Sequence, residues 1–584
     1  MLLNSQRVSG GAGLTDTVSS PTTALRVIVH DAESWTMHGV RMLLSQLGVT
    51  FDVAGVPGDA DLFVTQDEDL ARTSPGLALV VGSGSMAGTR VSHTWMHYAD
   101  VSAYLPITTV VPANLDGATV LATFDSGLPA IVARPGHLQV FPDVFAYLAR
   151  ASTLREHDRA FAESFSWDAV RVMLQYLLEL AAATLNKSLV RLWYYPSFRT
   201  TNAISFSVDV DHMLAWRIVA GLDRHARAKA MLSAALPYPV QKVLAIAASH
   251  RFFGRGLYSP RYMSRSGALI GRLLKALRVA APFDMYLASL NRVHARGIPI
   301  TAFCRPADFQ REETLERYRF RTSYQPSDLR HIEVGLHFGA TIGRTHQGEE
   351  IENPYDIDVF REGIPRQVES FARGTGKAAF GARMHHVFGF NQQMFAFLDQ
   401  AASVVYDSSV FGSVEGTETR ACPAGVSLPY FPVLLSDGNT TGMLVKSRFV
   451  EVPVAVYESA EMPVAIARRF SSSVVVSEHP DKIRSPIVEA FLRFERELKP
   501  GLWRASLREL ADWWRARDGL RLECRDGRLR IDRRGTMAPA RACVVVTPDP
   551  GSVAADGGWR VSETRHAGGR LYVDLAAGTT QAGA

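Results

Sequence analysis

Six short apolar runs between residues 204 and 477 constrain this chain more than any other feature. They cover 204–210, 298–304, 334–337, 378–383, 404–406 and 474–477, and stretches with helical spacing separate most of them. A strand that is buried on both faces reads as such a run, and strands alternating with helices build a parallel sheet. Alternation over nearly 300 positions predicts an α/β fold, a distorted or incomplete β/α barrel.

The runs also end in a consistent way. The first closes on Asp209-Val210-Asp211, the third holds His337, the fourth leads through Arg383 to His385 and His386, and the last stops at His479-Pro480. Carboxylates at i and i+2 on a strand point to the same side, and at the C-terminal end of a barrel strand that side is where active sites form. Such a pair can divide its work, one carboxylate ligating a cation and the other accepting a proton from water. A histidine directly after a short strand is placed like a ligand, and Arg383 can hold a carboxylate through its forked donors. Taken singly, an Asp-x-Asp also fits a helix cap, and a lone histidine fits a structural role.

In this order the motifs resemble the polysaccharide deacetylase family, also called carbohydrate esterase family 4 or the NodB homology domain. The resemblance covers about half the chain and rests on Asp209 and Asp211, His337, Arg383, Tyr406-Asp407-Ser408-Ser409 and His479. It implies a distorted barrel of that family's type and removal of N- or O-acetyl groups from a polysaccharide or sugar precursor. It further implies Asp209 as general base, His479 as general acid, Arg383 as a catalytic-site residue, Asp407 in support, and a divalent ion, zinc first, on Asp211 and His337. The family's usual second metal histidine lies four residues after the first, and here that position is Thr341. Zinc catalysis uses three protein ligands. Some branches of the family carry a histidine two residues after this arginine, which nominates His385 as the third, with His346 as the alternative. Two other readings follow from Thr341: a catalytically degenerate module that binds carbohydrate or protein through the same cleft, or a hydrolase of another non-peptide C–N bond.

A chain of 584 residues exceeds one core. Residues 1–24 read as a disordered leader rich in Gly, Ser and Thr. Residues 25–150 read as a small α/β domain, with strands at 25–29, 61–65 and 77–81 and a closing meander at 120–141. Residues 151–199 read as a helical linker in which Asp168 caps the helix that follows. Residues 200–500 form the barrel, with a basic helical insertion at 222–283. Residues 501–584 read as a helix carrying Trp503, Trp513 and Trp514, plus a small β-rich domain. The Gly82-Ser83-Gly84-Ser85 turn lacks nucleotide-loop spacing and reads as a plain tight turn.

Composition excludes several classes. Apolar residues make up 47%, charged residues 21%, and the net charge is +5 with no long Lys/Arg run, so no nucleic-acid partner is expected. No window is apolar enough for a membrane span. The four cysteines, at 304, 422, 524 and 543, form no CxxC pair. With no secretion signal, they suit a reducing, cytoplasmic setting.

Overall fold

Why six apolar runs build one sheet is plain from their burial. Ile300–Cys304 is buried at every position and Glu333–Phe338 at all but its first, as strands covered on both faces must be. The computed structural model describes residues 23–577 except 83–87, 114, 154–159, 162–163, 211–292, 305–331, 340, 345–349, 353–356, 386–391, 411–424, 437–441, 455–466, 468, 479–485, 499, 527, 534–538 and 557. The insertion read at 222–283 and the leader up to residue 22 lie outside the described residues.

The central sheet runs in the order Val450–Glu451, Tyr406–Asp407, Gly381–Met384, Glu333–Phe338, Ile300–Cys304, Asn202–Val210, Ser473–Glu478. Every pairing in it is parallel. Each of the six predicted runs supplies a strand. Leu502–Arg504 pairs with the start of Asn202–Val210, while Ile300–Cys304 pairs with its end. The chain is mixed α/β, and this sheet is a curled half-barrel: among the described residues its two outer strands do not pair with one another. The helix Ile357–Thr375 follows the Glu333–Phe338 strand, and Gln367 on it clasps the backbone of Gly339, donating to the carbonyl and accepting from the amide at 2.9 Å each. Gly381 carries no Cβ because the Tyr406 ring occupies that space.

A nine-stranded sheet organises the N-terminal region. Phe51–Ala54, Val27–His30, Leu62–Thr65, Leu77–Val81 and His137–Val140 are parallel neighbours. Pro129–Arg134, Thr119–Phe124, Thr94–Tyr98 and Val101–Leu105 continue it antiparallel, so the predicted meander is present. The helix Trp35–Leu47 begins at Ser34, whose hydroxyl accepts from the Met37 amide at 3.2 Å, and ends at Gly48 with φ 75°. A side chain at Gly48 would run into the Arg517 guanidinium, which donates to the carbonyls of Ser45 and Gln46 at 2.9 and 3.0 Å. A cation at a helix C-terminus is favoured by the helix dipole. Gly82, with φ 68°, turns beside Asp143, and residues 83–87 lie outside the described residues.

Asp168 does not cap its helix. The helix Ser166–Thr184 starts after Phe165 with no side-chain cap, and Asp168 is 0% exposed within it. Its Oδ1 receives Arg171 Nη2 at 3.3 Å and its Oδ2 the Ser427 amide at 2.9 Å, while Arg171 continues to the Phe470 carbonyl at 3.0 Å. A buried carboxylate needs a cation and donors; Arg171 supplies the cation from the next turn of the helix, and the Ser427 amide comes from 259 residues away, out of reach of a local capping rule. Trp167 donates to Gln46, which donates to the carbonyls of Leu428 and Pro429, so this helix is packed on both sides.

At the C-terminus, Leu507–Asp518 opens with a capping box of Ser506 and Glu509. Trp503 is not on that helix: it lies in the Leu502–Arg504 strand, because pairing with Asn202–Ile204 holds the backbone extended. Arg541–Thr547, Arg570–Ala577 and Trp559–Ala567 form a sheet that takes its fourth strand, Leu189–Leu192, from the stretch read as linker. Cys304, Cys524 and Cys543 are buried and form no disulfide, while Cys422 lies outside the described residues. Among the described residues no helix is long and apolar enough to cross a membrane.

Candidate functional site

Because the strands of the central sheet are parallel, their C-terminal ends share one edge. Register then decides which side chains meet there. Arg383 is the partner of His337, Asp407 of Ala382, and Glu451 of Asp407. On the other side of the sheet Asp209 is the partner of Phe303, and Val208 of Glu478.

Arg383 joins these strands. It is 1% exposed, and its Nη1 donates to Asp209 Oδ1 at 2.8 Å and to Ser477 Oγ at 2.7 Å. Its Nη2 donates to Ser408 Oγ at 2.9 Å and its Nε to the Ser408 carbonyl at 2.7 Å. The guanidinium lies over the Phe303 ring, 4.2 Å from the centroid. One side chain therefore contacts four other strands or the turns directly after them. The planar fork of arginine permits this, and a lysine could not reproduce it. Asp209 is 8% exposed, and its ion pair with Arg383 spans 174 residues of sequence.

His337 is 1% exposed, and its Nδ1 lies 3.0 Å from the Arg383 carbonyl. An imidazole that donates through Nδ1 to a carbonyl keeps its lone pair on Nε2, the tautomer of a metal-ligating histidine. The His385 ring stands 5.2 Å from the His337 ring, centroid to centroid, at 89°. Two imidazoles that close suit a shared cation. Among the described residues no three His, Cys, Asp or Glu side chains gather as an ion-holding group. Asp211, His346, His386 and His479 lie outside the described residues, as does the Thr341 side chain.

Asp407 is fully buried, accepting from the Ser409 hydroxyl at 3.0 Å and the Ser409 amide at 3.1 Å. Burial pushes its carboxyl up to about 6, against hydrogen bonds and the Arg383 charge that pull it down. At this edge the sequence reading gives no role to Ser408, which stands in the Tyr406-Asp407-Ser408-Ser409 motif, or to Ser477, and Glu451 is not singled out at all. Glu451 carries a legible signal, a lone acid inside the apolar stretch Phe449-Val450-Glu451-Val452. The two serines carry none.

The site thus contains the Asp209 carboxyl held by a buried guanidinium, with the His337 and His385 rings at the same strand ends. No protein-family model matches the chain. No curated protein matches it either. Among solved structures it is similar to a protein from Mycobacterium smegmatis described as a "putative polysaccharide deacetylase", at 17% identity over 56% of this chain and 92% of that one, with a TM-score of 0.29. It is similar to Agd3, described as a novel carbohydrate deacetylase, at 8% identity over 95% of this chain and 99% of that one, with a TM-score of 0.30. An alpha-L-fucosidase from Paenibacillus thiaminolyticus is similar at 10% identity over 29% of this chain and 34% of that one, with a TM-score of 0.23.

Proposed function

We propose that the chain is a metal-dependent hydrolase that removes N- or O-acetyl groups from a polysaccharide or sugar precursor. The observation that carries this reading is the Arg383–Asp209 ion pair beside the His337 and His385 rings at the strand ends. Arg383 favours the ionised form of Asp209, which is the form a general base requires. Asp209 would accept a proton from the attacking water, and His479 would return one to the departing amine or hydroxyl.

His337 and His385 fit a divalent ion such as zinc, because one imidazole is anchored through Nδ1 and the two rings lie edge to face. Asp211 would be the third ligand, with His346 as the alternative to His385. Such an ion supplies Lewis acidity at the acyl oxygen and an acidified water. Asp407 would support the base through Arg383.

Elemental analysis of purified protein, together with hydrolysis of an acetylated amino sugar by the wild type and Asp211→Ala, tests the reading. About one equivalent of zinc per chain and loss of both metal and turnover in the variant are expected. Metal-free protein, with turnover indifferent to Asp211, would sink it. Thr341 favours a second reading, a module that binds carbohydrate or protein without turnover. Binding of the same sugar without release of acetate would identify it. Release of ammonia or urea from a non-sugar amide would identify a hydrolase of another C–N bond.

A further inference from the structure

Two carboxyl groups lie side by side at the sheet edge that carries Arg383. Asp407 and Glu451 are register partners on adjacent parallel strands, and both are 0% exposed. Both Asp407 oxygens accept from Ser409, and Glu451 Oε1 accepts from the Val410 amide at 2.9 Å. No donor among the described residues reaches Glu451 Oε2. As register partners on parallel strands about 4.8 Å apart, the two acids are close enough for a carboxyl–carboxyl hydrogen bond, which would give Glu451 Oε2 a partner. Ionised carboxylates have only acceptor oxygens, so two of them cannot make that bond. Like charges confined to one buried site hold a proton between them instead.

We infer that Asp407 and Glu451 share one proton through a carboxyl–carboxyl hydrogen bond, and that this singly charged pair is a positioning unit for Arg383. The positioning half rests on the hydrolase reading above; the shared proton does not. The groups that face the pair are Arg383, whose charge pulls both acids toward ionisation, and the Tyr430 phenol, which burial first and then both acids push up. Burial is the largest influence on each acid, lifting Asp407 to about 6 and Glu451 well above the carboxylate range. Geometry puts the proton of the pair on Glu451: its Oε2 lacks a donor, while both Asp407 oxygens already accept from Ser409. The turn after Asp407 is clamped twice: by Ser409 on the Asp407 carboxylate, and by Arg383 Nε on the Ser408 carbonyl at 2.7 Å. A second negative charge on the pair would compete with Asp209 for the same guanidinium. The proton on Glu451 removes that competition.

Linkage gives a test that needs no turnover. A carboxyl whose folded form keeps a proton that the unfolded chain releases loses stability as pH rises above the unfolded value of about 4.3. For one proton, the unfolding constant of the wild type should gain about tenfold per pH unit relative to Glu451→Gln, from about pH 5 upward. The wild-type-minus-variant infrared spectrum near neutral pH should contain a carboxylic-acid C=O stretch. Parallel unfolding curves, or carboxylate bands alone, would overturn the shared proton. For positioning, Glu451→Ala should lower kcat about tenfold with KM little changed, the scale of one lost hydrogen bond. Glu451→Gln, which keeps a donor hydrogen, should recover part of that loss. Equal kcat in the two variants would overturn positioning. A carboxylic-acid band in a protein that hydrolyses no acetylated sugar would leave the proton in place and remove the hydrolase reading instead.

Discussion

The N-terminal and central sheets both present the C-terminal ends of parallel strands, and they use the polar groups there differently. In the N-terminal sheet those groups close short loops and cap helices. Thr65 Oγ1 lies 3.1 Å from His30 Nδ1 and accepts from the Asp67 amide at 3.0 Å. Asp143 accepts from Thr36 at 2.6 Å and caps the following helix Val144–Ala151. In the central sheet the corresponding groups bond to one another across the fold, through Arg383 to Asp209, Ser408 and Ser477. The difference teaches that strand-end geometry alone does not make a site. Convergence of buried, mutually bonded charges is what marks the central edge as the candidate site.

The largest effect that would break this comparison is expected at Arg383. Arg383→Ala strands the Asp209 charge, and loss of one partner of a buried ion pair costs about 3–5 kcal/mol. Urea unfolding should report a fall on that scale, and acetyl hydrolysis should be lost with it. Asp209→Asn keeps the shape and removes the base, so kcat should fall about 10²- to 10⁴-fold, and the buried Arg383 left without its counter-charge should lower stability as well. Turnover retained in Asp209→Asn would place the base elsewhere. Ser477→Ala deletes one acceptor of a charged donor and should cost about 1.5–3 kcal/mol, read from the same unfolding curves. The smallest effect sharpens the comparison from the other side. Asp143→Ala in the N-terminal sheet should cost about 1 kcal/mol, the scale of a helix cap, with hydrolysis unchanged. If Asp143→Ala impaired turnover, the N-terminal strand ends would belong to the site as well.

Much of the frame was legible in the sequence, for local reasons. All six strands of the parallel sheet that were read from apolar runs are present, because a strand covered on both faces has to be apolar at nearly every position. Val450–Glu451 was missed because two residues with an acid among them make no run. Leu189–Leu192 was missed as a strand because its partner, Arg541–Thr547, lies some 350 positions away. Asp168 was misread because its position suits a local cap, while its partners Ser427 and Arg171 are buried with it inside the fold. At the site, Asp209, His337 and Arg383 could be named from strand-end position, but Ser408, Ser477 and Glu451 could not be given roles.

The sequence by itself determined where strands form and which ionisable groups stand at their ends, because burial periodicity and residue type act over a few positions. Only the tertiary structure decided which of those groups meet. The Arg383–Asp209 contact joins residues 174 positions apart, and strand register makes Asp407 and Glu451 neighbours. Such pairings are set by register and packing, and no local pattern records them.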